Sequence, residues 1–272
     1  MTYMEGESTM LSQLFYKDQY LNKNIPYLFN KVIIEYDLKS ANTSLCKEYR
    51  LLSDQRIKKI EDMPKEERVR TIGKIMRKDE VFKKGLKDAF VDIRRRFFQA
   101  NSITDGDILA IKKDAIFCLK ECEVTTFGYC TFVPKNSYSS YIKVSDFEIY
   151  YTSSTGSILN PYKIDVKGID DIVLRKHNDF MLSFLAKAFR HFETSTLETQ
   201  LGFLSRFIDK YKRLELEVGY YREFNQQSII RLIDRDETYD DDIFIPYEDK
   251  QPHIDISYNF FYILLPLIKI LL

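Results

Sequence analysis

In the segment VIIEYDLKSANTSL, residues 32–45, four residues suited to a buried strand (Val32, Ile33, Ile34, Tyr36) run straight into one acid, Asp37. A polar turn and a helix-like start, SANTSL, follow at once. A carboxylate at the end of an apolar strand is common on surfaces, where it binds nothing. It is also what a metal-dependent enzyme requires.

A second acid stands in a similar setting. In DILAIKKDAIFCL, residues 107–119, Asp114 interrupts a run that otherwise alternates like a half-buried strand, through Ile108, Ala110, Ile116 and Phe117. Two carboxylates on adjacent strands can hold paired divalent cations roughly 4 Å apart. Magnesium takes oxygen ligands and completes its shell with waters and phosphates. The segment between the two acids carries basic residues for those phosphates: Arg77, Lys78, Lys83, Lys84, Lys87, Arg94, Arg95 and Arg96. They alternate with Asp79, Glu80, Asp88 and Asp92, the pattern of any solvated helix with i,i+4 ion pairs.

The rest of the chain supplies the frame. Its 272 residues suffice for one large or two small domains with a real core. Lys+Arg and Asp+Glu both number 41, so net charge argues neither for nor against nucleic acid. Glycine numbers only 9, with no G-x-G-x-x-G and no G-x-x-x-x-G-K phosphate loop. Cys46, Cys118, Cys122 and Cys130 lack C-x-x-C spacing, and His177, His191 and His253 lie far from them in sequence, which disfavours zinc. The opening MTYMEGESTM lacks a basic start and an apolar run. Reduced thiols in a cytoplasm are therefore expected. The ending FFYILLPLIKILL has 13 residues including Pro266 and Lys269, whereas a bilayer span needs roughly 20. No membrane partner is expected; the ending reads as a buried segment or a surface for a protein partner.

Element expectations follow from periodicity. Residues 1–31 read as an irregular or weakly helical lead-in, and 31–37 as a strand. Ser40 or Asn42 is placed to cap a short helix. Residues 53–101 read as helices, broken near Pro64 and ending near Asn101, with Val81, Phe82, Leu86, Phe90, Ile93 and Phe97 at helical spacing. Residues 107–167 read as an antiparallel meander, and 170–234 as helices. Tyr138, Tyr141, Tyr150 and Tyr151 suit cross-strand core pairs better than base stacking. DRDETYDDDIF, residues 234–244, reads as a solvated loop. The order is strand, helices, sheet, helices: α+β, without βαβ alternation.

Three motifs in this order resemble family B DNA polymerases. EYDLKSANTSL looks like the first palm motif, D-x-x-S-L-Y-P-S, with Asp37, Ser40 and Ser44 fitting. IKKDAIFC looks like the second half of Y-x-D-T-D-S-I-F, through Asp114, Ile116 and Phe117. YSSYIKVSDFEIYY and KIDVKGIDDIVLRKH are similar to the strands that follow and to the K-G-I/L-E-x-V-R-R-D turn, through Lys167, Gly168, Ile169, Val173 and Arg175.

The resemblance implies a palm with an antiparallel sheet over residues 1–169, with reduced helical fingers inserted at about 53–101. A helical thumb-like region would occupy 170–272. It implies nucleotidyl transfer with Mg2+ or Mn2+ on Asp37 and Asp114. Lys39, Ser40, Asn42, Arg77, Lys84 and Lys87 would meet a nucleoside triphosphate; Lys112, Lys113, Lys167 and Arg175 would meet DNA or RNA. The chain departs from the family at Lys112 and Lys113, where the family has Asp and Thr, and at Asn42, where it has Tyr. Those lysines favour an alternative, a catalytically inactive descendant that binds nucleic acid or protein. A third alternative is a structural protein that assembles through its apolar end. The small size and Lys/Ile/Tyr/Asn-rich texture suggest a phage or mobile-element setting in a host cytoplasm.

Overall fold

The computed structural model describes residues 8–144, 147–153, 162–168, 178–213 and 215. Their contacts form two units. One comprises the residues up to Ile25 with Val32–Ser137, and the other comprises Pro26–Lys31 with the described residues from Tyr138 on. The sequence reading sets its boundary later, near residue 169.

The first unit begins with α1 (Ser8–Leu14) and β1 (Gln19–Leu21), where the sequence suggests an irregular or weakly helical lead-in and no strand. β3 (Ile33–Leu38) leads into α2 (Ala41–Glu48), then α3 (Asp54–Glu61), α4 (Lys65–Lys78) and α5 (Glu80–Ala100). Pro64 stands at the N-cap of α4, with the fixed φ that suits a helix entry. The Asp79 carboxylate accepts the Phe82 N–H at 2.9 Å, and so starts α5 one residue after α4 ends. β4 (Ile108–Lys112), β5 (Ala115–Cys118), β6 (Thr126–Phe127) and β7 (Cys130–Tyr138) complete a six-stranded sheet, order β1-β4-β5-β3-β7-β6.

Period-two alternation gives β3 two faces. Ile34, Tyr36 and Leu38 enter the core with Ile93, Phe97 and Phe98 of α5. The rings of Tyr36 and Phe97 stand 5.5 Å apart, and Phe97 meets Phe132 of β7 at 4.4 Å. Ile33, Glu35 and Asp37 occupy the other face, where Ile33 and Glu35 are buried and Asp37 is half-buried. The helices thus fix one side of the sheet and leave the acids on the other.

The second unit is built on a four-stranded antiparallel sheet, order β10-β9-β8-β2. Its strands are β2 (Tyr27–Leu28), β8 (Ser140–Val144), β9 (Phe147–Thr152) and β10 (Lys163–Lys167), joined by α6 (Asn178–Thr194) and α7 (Leu197–Lys212). Tyr138, Tyr141, Tyr150 and Tyr151 are fully buried, which leaves none of them a free face for bases. Tyr151 stacks on Phe189 at 4.9 Å, and His191 stacks on Phe203 at 4.4 Å, a packing role for that imidazole. The expected meander is therefore antiparallel, but its strands are shared between two sheets. Among the described residues no helix is long and apolar enough to cross a membrane. The acidic run at 234–244, His177, His253 and the apolar ending lie outside the described residues.

Candidate functional site

The site is assembled by the pairing of β3 with β5. Their antiparallel register sets Tyr36 against Ile116 and Asp37 against Ala115. One step further, the Leu38 N–H donates to the Asp114 carbonyl at 3.0 Å. Asp114 is therefore not on a strand, as alternation in the sequence suggests. It lies in the two-residue turn, Lys113–Asp114, that joins β4 to β5. Strict alternation would set residue 114 on the Leu38 face, towards the core. Lys113, at φ 57, breaks the ladder, and Asp114 stays half-buried at the sheet end.

The two carboxyls act on each other. Burial raises the Asp37 pKa from its ordinary value; the charges of Asp114 and Glu35 add to the rise, while Lys135 and Lys65 oppose it. Both acids line one cavity of about 350 Å³, with Lys39, Ser40 and Asn42 from the β3–α2 turn and Lys65 and Arg68 from α4. Asn42 and Asp114 also line an adjoining cleft of about 860 Å³. Its polar rim includes Lys83, Lys84 and Lys87 of α5, Lys113 and Asp18; Met76, Leu86 and Phe90 form an apolar wall.

The N-terminus of α2 stands between the two spaces, since Ala41 and Asn42 line both. Ser40 adopts a left-handed φ of 49, and its side chain makes no cap bond. Thr43 and Ser44 N–H groups both donate to the Ser40 carbonyl at 3.0 Å. Ala41 and Asn42 are first-turn residues, whose N–H groups have no intrahelical acceptor and carry the positive end of the helix dipole. The expected Ser40 or Asn42 side-chain cap is absent, and Asn42 lines the cleft instead.

Of the residues singled out from sequence, Asp37, Asp114, Lys39, Ser40, Asn42, Lys84, Lys87 and Lys113 thus line two adjoining spaces of the first unit, with Asn42 and Asp114 shared by both. Arg77 does not; it is exposed and its Nε donates back to the Gly73 carbonyl at 3.3 Å. Lys112 is half-buried with its Nζ 5.8 Å from the centre of the Phe117 ring. Arg95 pairs with Asp92, and Arg96 with Glu48 at 2.9 Å, so both belong to the framework. Lys167 ends β10 in the second unit, and Arg175 lies outside the described residues. Sequence reasoning missed Asp18, Lys65, Arg68, Glu35 and Lys135. Glu35 had a signal: two residues before Asp37 on a strand, it must share that face. Lys65 and Arg68 had none, because their helix reads like any solvated one.

Among the described residues, no group of three or more His, Cys, Asp or Glu side chains could by itself hold a metal. Two half-buried carboxyls lining one cavity, Asp37 with its proton affinity raised by burial and by the Asp114 charge, do fit a cation that takes the rest of its shell from water and phosphate. No curated protein matches the chain. The family model described as bacteriophage PBS1 gene 130 protein matches residues 10–272, nearly the whole chain, and the protein belongs to that phage family.

Proposed function

We propose that the protein is a metal-dependent nucleotidyltransferase with a polymerase-like palm, acting on nucleoside triphosphates beside DNA or RNA. The observation that carries this reading is the convergence of Asp37 and Asp114, 77 residues apart in sequence, at one sheet end beside a cation-rimmed cleft. The fold supports it at the level of an antiparallel sheet with helices on one face.

In this reading the Asp37 and Asp114 carboxylates would hold Mg2+ or Mn2+. The cation would supply charge neutralisation and ease ionisation of an attacking hydroxyl. Lys84 and Lys87, with Lys83, would bind the triphosphate from α5; Lys65 and Arg68 would do so from α4. The first-turn amides of α2 would add donors to an anionic oxygen. A 3′-hydroxyl would form the new bond to the α-phosphorus, and pyrophosphate would leave. Asn42, between the two spaces, would meet the sugar.

The non-catalytic alternative has one specific observation in its favour. Lys113 is exposed at the rim of the cleft beside Asp114, where it could hold a phosphate without a cation. The two readings separate in one assay. Protein is incubated with Mg2+ or Mn2+, all rNTPs and dNTPs and a primed template, beside Asp37→Ala and Asp114→Ala. Incorporation lost in both variants supports the enzyme. Nucleic-acid binding that resists chelator, without incorporation, supports the binding module.

A further inference from the structure

Arg94 follows Phe90 by four residues and precedes Phe98 by four, so it lies on the apolar stripe of α5. Its flanking residues Arg95 and Arg96 reach acids, but Arg94 does not. It is 3% exposed, and burial lowers its pKa from the ordinary value, although guanidinium stays charged. Its Nη1 donates to the carbonyls of Phe15 and Lys17 at 2.6 and 2.7 Å, and its Nη2 to the carbonyl of Lys113 at 2.9 Å. Asp18 is the acid that acts on it by charge.

Burying a guanidinium among neutral carbonyls is costly. What it holds is the β4–β5 turn. The Lys113 N–H donates to the Asp18 carbonyl at 2.7 Å, and the Asp114 carbonyl accepts from Leu38. Three bonds thus hold the turn backbone from outside the hairpin, at the Lys113 N–H, the Lys113 carbonyl and the Asp114 carbonyl, and Arg94 supplies the one that comes from a side chain, while its bonds to Phe15 and Lys17 anchor the guanidinium. Only a planar fork with several donors spans Phe15, Lys17 and Lys113 together; a lysine ammonium on a flexible stem cannot match it.

The geometry points to Arg94 as a positioning residue. It locks the Lys113–Asp114 turn so that the Asp114 carboxylate is held against Asp37 before any ligand arrives. This rests on the reading of the Asp37–Asp114 pair as a cation site. It also separates Arg94 from the phosphate-binding cations with which the sequence groups it. Outer partners of metal ligands typically change affinity by 10–100-fold when lost.

The test uses the full chain and Mn2+ alone, without nucleotide. Mn2+ affinity is read by electron paramagnetic resonance, and amide exchange of Leu38 and Lys113 is measured in metal-free protein. Arg94→Lys is compared with Ile60→Ala, which removes a buried residue of α3. Arg94→Gln, able to reach one carbonyl without burying charge, serves if the lysine variant does not fold. The expected result is a loss of about 10-fold in Mn2+ affinity and faster exchange at both amides in the Arg94 variants. Ile60→Ala should lower the melting temperature and leave both readouts unchanged. An Arg94 variant with wild-type Mn2+ affinity and exchange overturns the positioning role and leaves the cation site standing. Wild-type Mn2+ binding that is indifferent to Asp37→Asn overturns both.

Discussion

The Leu38 N–H and the Asp114 carbonyl share a 3.0 Å hydrogen bond that joins the end of β3 to the β4–β5 turn. Through it the residue after Asp37 is tied to Asp114 itself. Backbone pairing brings the two carboxyls into each other's field.

Asp37 carries its charge at a stability cost in the metal-free protein. Its folded pKa is raised by burial first, with Asp114 and Glu35 adding to the rise and Lys135 and Lys65 opposing it. The folded state therefore binds the proton more tightly than the unfolded chain, and stability falls as pH rises above about 3.8 through the folded pKa. Asp37→Asn should thus melt at a higher temperature than wild type at pH 7 in chelator, by differential scanning fluorimetry. The gap should close as pH falls towards 4, or as Mn2+ is added to wild type. An unchanged or lower melting temperature for Asp37→Asn would contradict the cost of burying the Asp37 charge beside other acids.

Glu48 has the opposite sign. Its carboxylate accepts the Tyr129 N–H at 2.9 Å and pairs with Arg96, which lower its pKa. The stability it contributes is present above about pH 4.5 and is lost as pH falls through the lower folded value. Glu48→Gln should therefore be less stable than wild type at pH 7, with the difference vanishing on acidification. Urea midpoints at a series of pH values measure this.

The same carboxylate packs against Gly128. Gly128 has φ +59, and an added Cβ would stand 2.0 Å from the Glu48 Oε2. Gly128→Ala should cost about 1–3 kcal/mol in urea unfolding, from the left-handed backbone and the displaced carboxylate.

The thiols should separate by reactivity. Burial pushes Cys46 up to about 11 and Cys130 up to about 12. Cys122 is half-buried, and a bond from Cys118 lowers its pKa. Brief iodoacetamide treatment of native protein at pH 8 should label Cys122 first, read by peptide mass spectrometry. Labelling led by Cys46 or Cys130 would show that the core opens more readily than its packing implies.

The α5 lysines should act on nucleotide affinity. Lys84→Ala and Lys87→Ala should each weaken triphosphate binding about 5–20-fold by equilibrium titration, from lost charge-assisted bonds of about 1–2 kcal/mol. Arg77→Ala, whose guanidinium turns back on its own helix, should change it less than twofold.

Much of this was legible in the sequence, for local reasons. The apolar run into Asp37 gives β3, and the 3.6-residue spacing from Phe82 to Phe97 gives α5. Asp114 was legible as a residue but not as a turn, because Lys113 adopts a φ that lysine rarely takes. Arg94 stood among three consecutive arginines, and charge alone cannot tell a solvated one from a buried one. Its place on the Phe90–Phe98 stripe is the clue that distinguishes it. Lys65 and Lys135 act on Asp37, and Arg68 lines the same cavity, only through helix and strand packing, which no local pattern encodes.

In the proposed function Asp37 and Asp114 jointly hold a divalent cation. The most direct measurement is the anomalous scattering of a crystal soaked in Mn2+ and a non-hydrolysable nucleoside triphosphate. A Mn2+ peak is expected within roughly 2.0–2.5 Å of carboxylate oxygens from both residues, with phosphate oxygens completing the shell. A map with no peak between the two acids, or with Mn2+ held elsewhere while the nucleotide occupies the cleft, would contradict it.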